Sequence, residues 1–207
     1  MSDVPRAPGE PPGEPDGAEE LDVPEWDDEY LDRVSDRVMH SYDLEKDYRV
    51  RGEAFDLYGD LRVESHKQFF HPALQFGHYR SREHLFVRRA EGVTVRELDR
   101  LAALGGELAD EWIDPDEEHF STEFTFALVV PEVPEAVREH VEGYRDRTMI
   151  RGGYYGHYEI NLLVVAPDRE DLVASQEADV ATAFRLWERI EEPGPGFVER
   201  LVRRIWR

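Results

Sequence analysis

The chain has 207 residues, 47 of them acidic and 25 basic, for a formal charge of −22. That balance excludes a general nucleic-acid binder, which needs clustered Lys and Arg for phosphate contacts. The absence of cysteine excludes disulfides, thiolate catalysis and Cys-ligated zinc. Only Lys46 and Lys67 are lysines, and the acids are spread along the whole chain. Acid excess with scarce lysine suits a cytosolic protein of a high-salt host, where molar salt screens self-repulsion to a Debye length of about 3 Å. No apolar run approaches the roughly 20 residues of a membrane-spanning helix. The acidic, Pro-rich start is unlike a signal sequence, so the expected location is cytoplasmic.

Residues 1–24 are Pro, Gly, Asp and Glu with few apolar side chains, and should stay disordered. A single domain is expected over 25–190. Its first helix is expected from Asp27 to Lys46, because Leu31, Val34, Val38 and Tyr42 recur at helical spacing behind a capping Asp27 or Asp28. Phe55 to His66 alternates cleanly. Phe55, Leu57, Leu61 and Val63 take one parity; Asp56, Tyr58, Asp60, Arg62, Glu64 and His66 take the other, the pattern of a strand with one wet face. A return strand from about Tyr79 to Arg89 alternates too, suggesting an antiparallel pair.

Thr94 and Glu97 read as a capping box opening a second helix, whose apolar stripe runs through Leu98, Leu101, Leu108 and Trp112. Phe120 to Val130 reads as a strand with Phe120, Phe124, Phe126, Leu128 and Val130 on one face. Pro134 suits the first turn of a third helix, and Gly152–Gly153 ends that segment. Tyr154 to Ala166 is a strand whose second half is apolar on both parities, which marks a central strand. A fourth helix is expected from about Ser175. Residues 191–196 read as a linker, and Phe197 to Arg207 as a short basic amphipathic helix.

This order predicts an α+β fold, a two-layer sandwich with a mainly antiparallel sheet and helices on one face. Asp56, Tyr58, Arg62, Glu64, Arg80, Arg82, His84, Glu123, His157, Glu159 and Asn161 fall on the polar parity of their strands. They compose one polar sheet face, either a solvated surface of cross-strand ion pairs or a binding surface. Specific catalytic patterns are missing. No Gly-x-Ser-x-Gly elbow occurs, and neither Gly105–Gly106 nor Gly152–Gly153 stands where a phosphate-binding turn would. His66, His71, His78 and His84 are close in sequence, but without the spacing that forces convergence on a metal. A nuclease-like reading would use Asp56 or Asp60, but Glu64 and Lys67 are three apart and face opposite ways on a strand. No metal or cofactor is therefore expected.

Three segments, EYLDRVSDRVMHSYDLE at 29–45, FDLYGDLRVESHKQFF at 55–70 and GHYEINLLVVAP at 156–167, together resemble a family of uncharacterised haloarchaeal proteins. Looser relatives occur among methanogens and clostridia, and the family is known as a domain of unknown function. The resemblance implies a single cytosolic domain and carries no activity, cofactor or site residue. The expected function is that of a cytosolic binding or adaptor domain of a halophile using the polar sheet face. The alternative is a metal-dependent nuclease-like or other hydrolytic enzyme with a degenerate site. The expected partner is a protein or a second copy. Arg200, Arg203, Arg204 and Trp206 mark the C-terminal helix as a second contact, for a partner or for an anionic membrane surface.

Overall fold

The structure, a computed structural model, describes residues 24–67 and 77–188. The expected disordered tail, the linker and the C-terminal helix with Arg200, Arg203, Arg204 and Trp206 lie outside the described residues.

Asp28 caps helix α1 (Glu29–Val38), its carboxylate accepting from the amides of Tyr30 and Leu31. The helix stops well short of Lys46, because 43–50 form strand β1, Asp43–Val50, paired antiparallel with β2, Glu53–Lys67. Arg51 and Gly52 make the two-residue turn between them, both at positive φ (49° and 84°), as a tight primed hairpin turn requires. Tyr42 fits the helical spacing, yet it is buried just beyond the helix end, in the approach to β1.

The remaining elements are β3 (Gly77–Arg89), α2 (Val95–Trp112), β4 (His119–Val129), α3 (Glu135–Gly143), β5 (Arg147–Met149), β6 (His157–Ala166), β7 (Asp171–Ala174) and α4 (Ala181–Phe184). The α2 cap is half of the expected box. Thr94 accepts from the Glu97 amide, but the Glu97 carboxylate turns to Arg88 at 2.6 Å. The fourth helix is shorter and later than expected: the Ser175 amide still donates to the Leu162 carbonyl of β6 at 2.8 Å, and turns follow before Ala181.

The sheet order is β1-β2-β3-β4-β6-β5, and β7 also pairs with β6. The expected α+β class with a mostly antiparallel sheet is what the chain forms. The β3–β4 and β4–β6 pairs are parallel and the others antiparallel. The helices, however, cover both faces. Crossovers of one hand that step in one direction across a sheet put their helices on the same face, and α2 and α3 pack together over Phe86, Phe124, Phe126, Ile160 and Leu162. The opposite face is apolar along the C-terminal halves of β3, β4 and β6. There Leu57, Leu61, Leu85, Val87, Ala127, Val129, Leu163 and Val165 are covered by α1 and α4.

Strand β2 keeps its expected alternation from Leu57 onward, with Leu57 and Leu61 under α1 and Tyr58 under α2. It slips by one residue at Asp56, so that Phe55 shares the α2 face with Tyr58. Asp47, which stands opposite Asp56, is unpaired in the register and has φ 55°. Truncating Leu61 to Ala should cost about 2–5 kcal/mol. Asp56→Ala loses a carboxylate that accepts the Arg89 amide at 2.7 Å and should cost about 1 kcal/mol or less. Urea unfolding of the two variants measures the difference; reversed costs would place β2 in the other register.

Candidate functional site

Strand alternation sends the polar N-terminal halves of β3, β4 and β6 to both faces of the sheet. On β3, Arg82 and His84 share the α2 face with Phe86, while Ser81 and Glu83 share the α1 face with Leu85. By the same alternation Ser121 and Glu123 on β4, and His157, Glu159 and Asn161 on β6, join the α1 face. The register then aligns three carboxylates: Glu83 pairs with Glu123, and Glu123 with Glu159. Neighbouring strands lie about 4.8 Å apart, so three acids stand in a row across three adjacent strands. Glu83 and Glu123 are each 8% exposed and Glu159 1%.

Each end of the row is held by a different group. At one end Tyr42 donates its hydroxyl to Glu83 at 2.5 Å. Tyr42 reaches that position by lying on Gly59, where a Cβ would stand 3.0 Å from its ring. Burial pushes the Tyr42 phenol well above its ordinary value, and Glu83, Glu123 and Asp179 push it further. At the other end Glu159 meets Arg147 at 3.1 Å and His157 at 3.4 Å. One step toward the strand starts, the hydroxyls of Ser121 and Ser81 are hydrogen-bonded at 3.0 Å. One step the other way stands Asn161, 2% exposed. Its Oδ1 accepts from Ser175 at 3.1 Å on the β7 side, and its Nδ2 has no hydrogen-bond partner. The two ends of a planar amide diverge, so the Nδ2 hydrogens turn away from Ser175. Ser81, Glu83, Ser121, Glu123 and His157 keep 6–8% of their surface, so the row is buried with a narrow edge still in contact with solvent.

On the α2 face the centre is Asp60, hydrogen-bonded by Arg62 at 2.7 and 2.9 Å and by Arg82 at 2.6 and 2.8 Å. Burial works to raise the Asp60 carboxyl, but the hydrogen bonds from Arg82 and Arg62 hold it below its ordinary value. His84 meets the Tyr58 hydroxyl at 2.7 Å through Nδ1, and its ring lies against Trp112 and Phe124. The imidazole is pushed from 6.5 down to about 3, first by burial and then by Arg82.

A His whose folded value lies below its unfolded one is neutral in the fold while the unfolded chain takes up the proton. The stability it supports is complete above about pH 6.5 and declines as pH falls toward 3, with a slope approaching about 1.4 kcal/mol per pH unit. His84→Phe should lack that component. The stability gap between the two proteins, measured by urea unfolding, should therefore narrow as pH falls; a gap independent of pH would mean that His84 is protonated in the fold.

The expected single polar face is thus two surfaces. Tyr58, Arg62, Arg82 and His84 are brought together on the α2 side, with Arg80 and Glu64 at the rim and Arg80 paired to Asp116 and Glu118. His157, Glu159, Asn161 and Glu123 lie on the α1 side. Asp56 belongs to neither group: it accepts the Arg89 amide near the other end of β2. Nor is the surface simply solvated, since Asp60, His84, Glu123, His157, Glu159 and Asn161 are all buried. The acids of a nuclease-like reading are otherwise engaged, Asp56 by the Arg89 amide and Asp60 by two guanidinium groups.

Glu83, Tyr42 and Arg147 escape the sequence reading. The signal that could have found Glu83 is an acid on the same parity as Leu85 and Val87, where a buried strand face should be apolar. Among the described residues no group of three or more His, Asp or Glu can hold a metal ion. The side chains of His66, His71 and His78 lie outside the described residues. No helix among the described residues is long and apolar enough to cross a membrane.

No curated protein and no solved structure matches the chain. The family described as Domain of unknown function (DUF8052) matches residues 27–186, a span that includes both polar surfaces and every element from α1 to α4, and the chain belongs to that family.

Proposed function

We propose that the domain is a binding module for a small organic cation, taken at the row of Glu83, Glu123 and Glu159. The observation that supports this is the row itself. Like charges on adjacent strands, withdrawn from water, repel one another and favour either a shared proton or a counter-cation. Arg147, half-exposed, meets the row at its Glu159 end, and three acids in one buried row are a place where added positive charge is favoured.

A metal ion needs its ligand oxygens gathered within about 2.0–2.6 Å of one point, and these acids are strung over two strand spacings. A primary ammonium suits a row better, with three donors that reach about 2.8 Å each. The Asn161 amide supplies a donor beside it, so the fitting ligand carries an acceptor, a hydroxyl or carbonyl, next to its amine. The acidic, lysine-poor composition supports a cytosolic, high-salt setting for this binding.

The test is calorimetric titration of the full chain with ethanolamine, putrescine and agmatine as chloride salts, with KCl as the ionic-strength control. At least one amine should bind, and Glu159→Gln should weaken it by about tenfold or more. Heats no larger than those of KCl for all three amines, or binding that Glu159→Gln leaves unchanged, would sink the reading.

A further inference from the structure

The α2 face holds a cavity of about 430 Å³ between the ends of β2, β3 and β4 and the C-terminal end of α2. Its wall is richer in arginine than the molecule as a whole. The whole chain has almost two acids for each base, yet the cavity is lined by Arg62, Arg80 and Arg82 against Glu64 and Asp114. The same wall carries Trp112, and Thr122 and His119 add polar atoms.

The guanidinium groups are oriented rather than free to collapse. Arg62 and Arg82 both grip Asp60 through Nε and Nη2, so neither of those contacts uses Nη1. One carboxylate between two guanidinium groups leaves that trio with a net positive charge, across the cavity from Glu64 and Asp114. Arg80 is anchored from outside by Asp116 and Glu118 through Nη2 and Nε, again without using Nη1. His119 is fixed between the Tyr155 carbonyl at 2.7 Å and the Thr122 hydroxyl at 2.9 Å. Trp112 is held by its edge contact with buried His84, ring centroids 4.9 Å apart.

We infer that this cavity is a second binding site, for a small molecule that carries an oxyanion on a planar apolar body. Planar guanidinium forks match the two oxygens of a carboxylate or phosphate. An indole wall takes a flat apolar group and adds to the binding that the charges give. The site lies across the sheet from the carboxylate row and stands or falls independently of it.

The probes are phenyl phosphate, benzoate and inorganic phosphate, titrated into the full chain by calorimetry. Phenyl phosphate or benzoate should bind, at least about tenfold more tightly than inorganic phosphate, and the preferred one of the two identifies the oxyanion. Arg62→Gln should weaken that binding by about tenfold while the melting temperature holds, since its side chain is 67% exposed and Asp60 keeps Arg82. Trp112→Leu should remove the advantage over inorganic phosphate, and Glu123→Gln, on the opposite face, should leave binding unchanged. The inference is overturned if none of the three probes binds, if inorganic phosphate binds as tightly as the aromatic probes, or if Arg62→Gln and Arg80→Gln both bind as the parent does.

Discussion

Phe126→Ala should lower the free energy of unfolding by about 3–5 kcal/mol. Phe126 is fully buried at the centre of β4. It stacks on Phe86 with ring centroids 5.0 Å apart and an interplanar angle of 14°, and Phe55 lies 6.0 Å away. Above it runs the Gly105 turn of α2, so close that a Cβ on Gly105 would come within 3.1 Å of both Phe126 and Ile160. A helix docked through a glycine has no side chain there to move into a vacated space. The surrounding strands are paired on both sides. The cavity left by truncation should therefore stay largely open, which is the condition for a cost at the upper end of the range. Phe120 is the control. Its parity groups it with Phe124 and Phe126, but the β3–β4 register shifts between Arg80 and Ser81 and passes over it. It is half-buried beside Tyr79 and His157. Phe120→Ala should cost about 1 kcal/mol. Urea denaturation of both variants gives the comparison, and equal losses would mean that β4 runs without the bulge.

That pair of phenylalanines shows what local pattern can and cannot carry. Period-two and period-3.6 spacing located β2, β3, β4, β6, α1, α2 and α3, because each buries a stripe long enough to repeat. It missed β1, since Leu44, Tyr48 and Val50 alternate with acids and bases on an edge strand, and Tyr42 continued the helical spacing. It missed β5 and β7 because strands of three and four residues have no period to read.

The α+β class follows from element order, but the layer count depends on which way the crossovers step, which no single segment records. The polar residues were legible one strand at a time. Tyr58, Arg62, Arg82 and His84 meet because β2 and β3 are a hairpin whose register is nearly local. The carboxylate row was not legible, because Glu83, Glu123 and Glu159 are aligned by parallel pairing between residues 40 and 36 apart in sequence. Parallel register is set by crossover packing rather than by any turn.

Glu123→Gln should separate the stability of the domain from its proposed binding. Glu123 is the middle of the row, with Glu83 on one side and Glu159 on the other. Two unit charges about 5 Å apart repel by roughly 3 kcal/mol at an effective dielectric constant near 20, and protonation or a bound counter-ion relieves part of that. A glutamine keeps the volume, removes the central charge and adds a donor that its carboxylate neighbours can accept. The variant without ligand should gain about 1–2 kcal/mol, or roughly 2–4 °C in melting temperature for each kcal/mol. The organic cation, whose charge the row would neutralise, should bind the same variant at least about tenfold more weakly. Gain of stability with loss of binding is the signature of groups kept in tension for a ligand. A structural network behaves in the opposite way. If the three acids were there only to be hydrogen-bonded to Tyr42, Arg147 and His157, altering the central one would break a satisfied buried network and cost about 1–3 kcal/mol. Thermal unfolding of Glu123→Gln with and without a saturating amine therefore decides between a site and a scaffold: stabilised alone and shifted less by the amine than the parent for a site, destabilised under both conditions for a scaffold.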